Sequence, residues 1–220
     1  MEATLNPRVK ICCISSLEEA RLAIRCGASA LGLVSAMPSG PGPIGEELIA
    51  EIAAIVPPGV ASFLLTSLVD APGILTQQRR CRVNTLQIVD RVEEDVLRQL
   101  RDEMPGIALV LVIHVDGEDS IREAVQFAPL VDAILLDSGN PSLAVKELGG
   151  TGRRHDWQLS RRIREEIAVP LYLAGGLNPS NVREAVETVA PFGLDVCSGL
   201  RTDDRLDENK VTAFFDALQQ

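Results

Sequence analysis

Aromatic residues are scarce in this chain, and it has no long apolar run. Aromatic side chains make up only 3% of the 220 residues, so Ala, Val, Ile and Leu must fill most of any core. The longest apolar run, residues 107–115, is far shorter than the roughly 20 residues that span a bilayer, which argues against a membrane partner. The first residues lack a basic segment followed by an apolar one, so we expect no signal peptide.

Basic residues are in the minority. The chain has 21 Lys and Arg against 31 Asp and Glu, a formal net charge of -10 at pH 7. This balance argues against nucleic acid or an anionic membrane as the main partner. It leaves an anionic small substrate open, because a pocket can be locally positive on an acidic protein. With 46% hydrophobic and 24% charged residues, the composition is that of an ordinary globular domain.

Candidate metal ligands are also few, since the only histidines are His114 and His155. The chain has five cysteines: Cys12, Cys13, Cys26, Cys81 and Cys197. Their odd number, without a secretion signal, favours reduced thiols in a cytoplasmic protein. The adjacent Cys12 and Cys13 do not have the spacing of zinc ligands, so we expect no metal site.

Short apolar runs alternate with amphipathic helical patterns along the whole chain. The predicted strands cover residues 9–14, 30–34, 60–65, 85–88, 107–115, 133–136, 171–174 and 194–196. The predicted helices begin near Leu17, Glu46, Asp70, Glu93, Ser120, Trp157, Pro179 and Glu208. Ser16 suits the N-cap of the first helix, and Pro179 suits the first turn of the seventh. The alternation favours an α/β protein, a single-domain (β/α)8 TIM barrel over residues 1–220. A doubly wound open sheet is the alternative.

Reactive side chains follow two of the predicted strands. Cys12 and Cys13 end the first strand, and Asp137 follows the buried run of the sixth. The active sites of α/β barrels lie at this end of the strands. A thiol there can be a base, a nucleophile, a ligand or a packing residue, and an Asp there can be a general acid or cap a turn. The residues alone leave these roles open.

Glycine-rich loops follow the seventh and eighth strands. Residues 174–179 contain the pair Gly175 and Gly176, and residues 197–199 read Cys-Ser-Gly. In α/β barrels, phosphate commonly binds between these two loops, so we expect a phosphate site; the alternative is two tight turns. Residues 37–43 are predicted to be a loop on the active face. Residues 149–157 form either a flap over a bound anion or an exposed surface loop.

In these motifs the sequence resembles a divergent member of the phosphoribosylanthranilate isomerase family, (β/α)8 enzymes of tryptophan biosynthesis. The matching stretches are Val9-Lys10-Ile11-Cys12, Leu135-Leu136-Asp137-Ser138, Gly149-Gly150-Thr151-Gly152, Asp156-Trp157, Ala174-Gly175-Gly176-Leu177-Asn178-Pro179 and Asp195-Val196-Cys197-Ser198-Gly199. They occur in family order across essentially the whole chain. The resemblance implies an aldose–ketose isomerase that performs an Amadori rearrangement of a phosphoribosyl substrate, needs no cofactor, and is a monomer or a homodimer.

The resemblance also implies residue roles. Cys12 is the expected general base and Asp137 the expected general acid. The residues expected to bind phosphate are Gly152, Gly175, Gly176, Ser198 and Gly199. Those expected to bind the rest of the substrate are Lys10, Arg153, Arg154 and Asp195. Cys13 stands where the family usually has Gly, so we interpret it as a packing residue beside the base.

Departures from the family pattern concern the amine side of the substrate. The family's Pro-Lys-Ser-x-Arg stretch is replaced by residues 37–43, which contain no cation, and its Gln-Leu-His-Gly becomes Gln-Ile-Val-Asp at residues 87–90. Either Arg153 or Arg154 supplies a substitute cation, or the amine differs. The alternatives are the same isomerisation on another N-phosphoribosyl amine, or a non-catalytic phosphosugar-binding protein. We interpret His114 as structural and His155 as a loop residue satisfied by its neighbour.

Overall fold

The structure, a computed structural model, describes residues 6–139 and 154–219. The barrel strands are β1 (Arg8–Ile11), β2 (Ala30–Val34), β3 (Ala61–Thr66), β4 (Thr85–Ile88), β5 (Ala108–His114), β6 (Ala133–Asp137), β7 (Leu171–Leu173) and β8 (Gly193–Val196). The helices are α1 (Leu17–Arg25), α2 (Glu46–Ile55), α3 (Ala71–Cys81), α4 (Glu94–Glu103), α5 (Asp119–Phe127), α6 (Trp157–Glu166), α7 (Val182–Val189) and α8 (Glu208–Gln219). Each strand pairs with the next and β8 returns to β1. The predicted (β/α)8 barrel is confirmed, and the open sheet is excluded.

The starts of two helices show when the local sequence is sufficient to predict where a helix begins. Ser16 is the N-cap of α1, as predicted, and its Oγ accepts a hydrogen bond from the Glu19 N–H at 3.1 Å. The prediction for Pro179 is wrong, because it lies in a turn and α7 begins only at Val182. The Asn178 N–H donates to Asn181 Oδ1 at 2.9 Å, and this closed turn delays the helix.

The core has two layers because each strand buries both of its faces. Residues that point outward, such as Ile11 and Leu31, pack under the helices. Residues that point inward, such as Phe63 and Leu135, fill the barrel. Inward and outward positions alternate along each strand with a period of two. No helix within the described ranges is both long and apolar enough to cross a membrane.

The seam between β1 and β8 closes the barrel. In its parallel register Lys10 lies opposite Asp195, and Ile11 lies opposite Val196. Both Lys10 and Asp195 point into the barrel, where Lys10 Nζ contacts Asp195 Oδ2 at 2.8 Å. Lys10 is 0% exposed. A charge buried this deeply requires a partner, and the register of the seam supplies one.

A second ionic contact ties α1 to the chain after β8. Glu19 accepts hydrogen bonds from Arg201, at 3.0 and 2.9 Å, and from the backbone N–H groups of Ser15 and Leu206, both at 2.9 Å. Arg201 and Leu206 belong to the two-stranded pair β9 (Arg201–Thr202) and β10 (Arg205–Leu206). Burial alone would raise the pKa of Glu19, but these hydrogen bonds lower it below its ordinary value.

We predict that Glu19→Gln lowers the free energy of unfolding by about 3 kcal/mol at pH 7, because it leaves the buried Arg201 guanidinium without its counter-charge. The folded-state pKa of Glu19 is depressed. Its stabilising contribution is therefore present above the unfolded-state pKa and is lost as the pH falls through the folded-state value. Urea unfolding measures the free energy of unfolding of variant and wild type at pH 7 and in acid. The difference between the two proteins should be smaller in acid. Glu165→Gln, which removes an exposed carboxylate paired with Arg161, should change stability little at either pH.

Candidate active site

One open pocket of about 690 Å³ lies at the carboxyl ends of the strands. Six of the predicted site residues line it: Cys12, Asp137, Gly175, Gly176, Asp195 and Ser198. They come from the ends of β1, β6, β7 and β8, so barrel closure brings distant parts of the sequence together. The loop of residues 37–43 also reaches the pocket, through Met37, Ser39, Gly40 and Pro41, as its predicted place on the active face requires.

Cys12 follows β1 directly and is held by the seam. Its N–H donates to the Val196 carbonyl of β8 at 2.8 Å. This bond extends the ladder by one residue and leaves Cys12 facing inward, next to Cys197. The predicted strand thus ends earlier than expected, at Ile11, and the thiol stands just beyond it.

Cys13 has an unusual backbone for its residue type. Its φ is +61°, in the left-handed region that favours glycine. The usual Gly of the family at this position therefore has a geometric reason. Hydrogen bonding with Cys12 and Cys197, together with burial, raises the pKa of the Cys13 thiol. Cys13 thus stays a protonated thiol, and its Sγ contacts the Pro41 carbonyl oxygen at 3.7 Å.

Asp137 ends β6 on the far side of the pocket from Cys12. Its Oδ1 accepts a hydrogen bond from the Ser138 N–H at 2.7 Å. Asp137 is paired in register with His114 at the end of β5, so both side chains face inward. The carboxyl group is half-buried at the rim.

The loops after β7 and β8 pack closely against each other. Gly175 and Gly176 have φ angles of +86° and +65°, and the side-chain amides of Asn178 and Asn181 donate to the Gly176 carbonyl at 3.3 and 3.0 Å. A Cβ added at Gly199 would lie 2.0 Å from the Leu177 carbonyl oxygen. Gly199 itself does not line the pocket. Its missing side chain lets the second loop lie against the first.

Of the four residues expected to bind the rest of the substrate, Asp195 lines the pocket, Lys10 and Arg154 do not, and Arg153 is not described. Asp195 lines the pocket, and its Oδ1 has no hydrogen-bond partner in the part of the chain that the structure describes. Lys10 lies beneath the pocket and is not part of its lining. Arg154 lies outside the pocket lining; its Nη2 is 3.4 Å from Glu184 Oε1, and its guanidinium stacks on Trp157 at 3.7 Å. Gly152 and Arg153 fall outside the described residues.

Gln87 is a pocket residue that the sequence reasoning did not assign to the site. It is 3% exposed and lines the pocket, and its Oε1 lacks a hydrogen-bond partner among residues 6–139 and 154–219. An unpaired buried acceptor that faces a pocket is poised for a substrate donor. The available signal was the glutamine of the family's Gln-Leu-His-Gly stretch, which this chain keeps.

Neither histidine lines the pocket. His114 is buried, with Nε2 3.2 Å from the Val89 carbonyl oxygen, which agrees with its interpretation as structural. His155 Nε2 is 2.7 Å from Ser160 Oγ, so its partner is in α6 rather than the adjacent Asp156. Burial lowers the pKa of His155 to about 4, and the ring is therefore neutral at pH 7.

The described lining contains no Lys or Arg. The loop after β2 contributes four uncharged residues to the lining: Met37, Ser39, Gly40 and Pro41. The described pocket therefore lacks a cation on this side, as the sequence of the loop predicts.

Comparison with known proteins decides the family. The model of the family described as N-(5'phosphoribosyl)anthranilate (PRA) isomerase matches residues 9–217. The chain belongs to this family. An N-(5'-phosphoribosyl)anthranilate isomerase of Haloferax volcanii is 38% identical, covering 96% of this chain and 93% of that protein. The isomerase 2 of Methanosarcina mazei is 37% identical, covering 94% and 92%. These identities correct the expectation of a divergent member.

Solved structures of the family share the fold. The Thermotoga maritima phosphoribosyl anthranilate isomerase superposes with a TM-score of 0.81 at 30% identity, covering 97% of this chain and 98% of that one. A phosphoribosyl anthranilate isomerase in complex with reduced 1-(o-carboxyphenylamino)-1-deoxyribulose 5-phosphate gives a TM-score of 0.79 at 28% identity, with the same coverage. The ligand of the second structure carries a 5-phosphate group.

Proposed function

We propose that this chain is a phosphoribosylanthranilate isomerase in which Cys12 is the general base and Asp137 the general acid. The reaction is the Amadori rearrangement of N-(5'-phosphoribosyl)anthranilate to the 1-amino-1-deoxyribulose 5-phosphate in tryptophan biosynthesis. The observation that supports the two roles is that a thiol and a carboxyl group line one pocket beside two glycine-containing loops at adjacent strand ends.

The first step opens the furanose ring. A protonated Asp137 donates its proton to the ring oxygen as the bond between that oxygen and C1 breaks, and the amine nitrogen supplies the electron pair that forms the iminium. The half-buried carboxyl lines the same pocket as Cys12, where a proton donor to the ring oxygen is required.

The second step moves a proton from carbon. The iminium makes the C2 proton acidic, and the Cys12 thiolate removes it to give the enolamine. Tautomerisation of the enolamine then gives the aminoketone. The two proton transfers need groups on different sides of the substrate, and Cys12 and Asp137 come from β1 and β6.

The remaining contacts divide the substrate between two parts of the pocket. Backbone N–H groups of Gly175, Gly176 and Ser198 are the proposed phosphate donors, with Gly152 and Gly199 as further members of that loop cluster. The unpaired acceptors Asp195 Oδ1 and Gln87 Oε1 are suited to hydroxyl groups of the opened sugar. Catalysis requires no cofactor in this scheme.

The last part of the proposal concerns where the protein works and how it assembles. We propose that the protein works in the cytoplasm as a monomer or a homodimer, with a phosphoribosyl small molecule as its partner and no nucleic acid or membrane. The Thermotoga maritima enzyme has been solved as monomers generated from a dimer.

We predict that Cys12→Ser and Asp137→Asn each lower kcat by about 10²- to 10⁴-fold with little change in KM, because each removes a group that acts in proton transfer. The fluorescence assay with phosphoribosylanthranilate measures both constants. Cys26→Ser and Asp102→Asn change the same residue types away from the pocket and should leave kcat unchanged. A wild-type kcat in both site variants would refute the assigned chemistry. If the wild-type protein binds ribose phosphate analogues in calorimetry but shows no turnover, it is a non-catalytic binding protein.

We predict that Gly199→Ala raises KM by at least about tenfold, because its Cβ would collide with the Leu177 carbonyl and displace the proposed phosphate loops. Gly117→Ala is the matched control, since an added Cβ there meets no atom within 4 Å. Steady-state kinetics with a competing inorganic phosphate titration provides the measurement. An unchanged inhibition constant for phosphate in Gly199→Ala would place the phosphate elsewhere.

Arg153 is the proposed cation for the anthranilate carboxylate, since the structure engages Arg154 with Glu184 and Trp157. We predict that Arg153→Met raises KM for phosphoribosylanthranilate at least about tenfold, the loss expected for a charge-assisted contact, and that Arg154→Met raises it less. The phosphoribosyl adduct of aniline, which lacks the carboxylate, should be insensitive to Arg153→Met. Equal KM values for the two substrates in the wild type would favour the alternative, the same isomerisation on a different amine.

A further inference from the structure

Lys10 is the charged group buried deepest beneath the pocket. Its side chain is 0% exposed, and its Nζ contacts Asp195 Oδ2 at 2.8 Å. The same ammonium lies 5.4 Å from the centre of the Phe63 ring of β3. An ammonium has three N–H donors, and Asp195 accepts from one of them.

Cys12 lies on the same side of the chain as Lys10. Lys10 is on β1 and Cys12 directly follows it, two residues further on, so both point into the barrel. Lys10 Nζ donates to Asp195 Oδ2, and the Cys12 thiol is close enough to act on its charge. Burial by itself lowers the pKa of Lys10, but Asp195 and Cys12 more than offset this and raise it above its ordinary value. Lys10 therefore stays a cation in the core.

Gly32 of β2 leaves a space that both the thiol and the ammonium border. A Cβ added there would lie 2.7 Å from Cys12 Sγ and 3.0 Å from Lys10 Nζ. Both atoms therefore border the volume that a side chain would take. Any side chain at this position would have to push them aside.

Other titratable groups lie on the elements around Cys12. They are Cys13 after β1, Asp195 and Cys197 at the β8 end, Arg201 beyond it, Tyr172 of β7 and Asp137 across the pocket. Arg201 is paired with Glu19, and Asp195 with Lys10. Cys13 is a neutral thiol, and its hydrogen bond lowers the pKa of Cys197. Among the described cations, Lys10 is the one whose charged atom borders the same space at Gly32 as the Cys12 thiol.

We infer that Lys10 is a positioning residue for the reaction, whose ammonium, anchored by Asp195 and admitted by Gly32, holds and stabilises the Cys12 thiolate. This assigns Lys10 a role beneath the substrate rather than the substrate contact that the sequence motif implied. The inference rests on the proposed function for the identity of the base. When Cys12 takes the C2 proton it becomes a neutral thiol, and Lys10 keeps its charge through Asp195.

The test measures the thiolate directly, apart from turnover. The rate at which iodoacetamide alkylates Cys12 is followed from pH 5 to 10, with tandem mass spectrometry separating Cys12 from Cys13. The variants are Lys10→Met and the double variant Lys10→Met with Asp195→Asn. The double variant leaves no unpaired buried charge, so it answers the question if Lys10→Met fails to fold. Lys210→Met, on α8, is the matched control.

We expect the alkylation midpoint to rise by roughly one to three pH units in both Lys10 variants and to stay in place in Lys210→Met. The acid limb of kcat/KM in Lys10→Met should rise by the same amount. An unchanged midpoint in folded Lys10 variants, even with activity lost, would overturn the inference and leave Lys10 a structural residue. Full activity in Cys12→Ser would instead refute the proposed function, whatever the alkylation midpoint.

Discussion

The pairing of β1 with β8 is the constraint on which the site depends. It sets Lys10 opposite Asp195, and two residues further along it holds Cys12 through the hydrogen bond from its N–H to the Val196 carbonyl. A shift of this register by one residue would turn Lys10 and Cys12 outward, because inward and outward positions alternate. The pairing that closes the barrel therefore also places the reactive side chains at the end of β1.

The buried ion pair at that seam is not explained by stability. Removing two charges from water costs several kcal/mol for each ion, and well-packed apolar residues often replace such pairs without loss. The surroundings of Lys10 are otherwise apolar or aromatic, with Phe63 in a T-shaped contact with Tyr172 at 5.9 Å. A cation in such a low-dielectric setting acts strongly on a neighbouring anion, and the Cys12 thiol, which lines the pocket, borders the same space at Gly32 as the ammonium. The arrangement has a chemical use that an apolar pair could not supply.

The architecture was predictable because barrel strands bury both faces and so read as continuous apolar runs. All eight strands were found, as was the placement of Cys12 and Asp137 at strand ends. What failed depends on contacts that no local pattern records. Pro179 was misplaced because the side chain of Asn181 closes a turn before the helix, and the direction of Arg154 is set by Glu184 and Trp157, which lie apart in sequence. Gln87 was visible as a motif residue, but its importance lies in an unpaired oxygen that only packing can reveal.

The glycines show most clearly what a local sequence pattern cannot predict. Their contribution here is the space left by a missing side chain, and only the packing reveals which atoms border it. Gly32 lies inside a strand, where a sequence pattern indicates only that glycine weakens the strand, yet its missing Cβ leaves the space that the Cys12 thiol and the Lys10 ammonium both border. Gly193 leaves room for the ring of Tyr172, whose carbon atoms would lie 2.4 Å from an added Cβ, and Tyr172 in turn packs against Phe63 above Lys10. The polar centre of this barrel is thus shaped from two sides by positions without side chains.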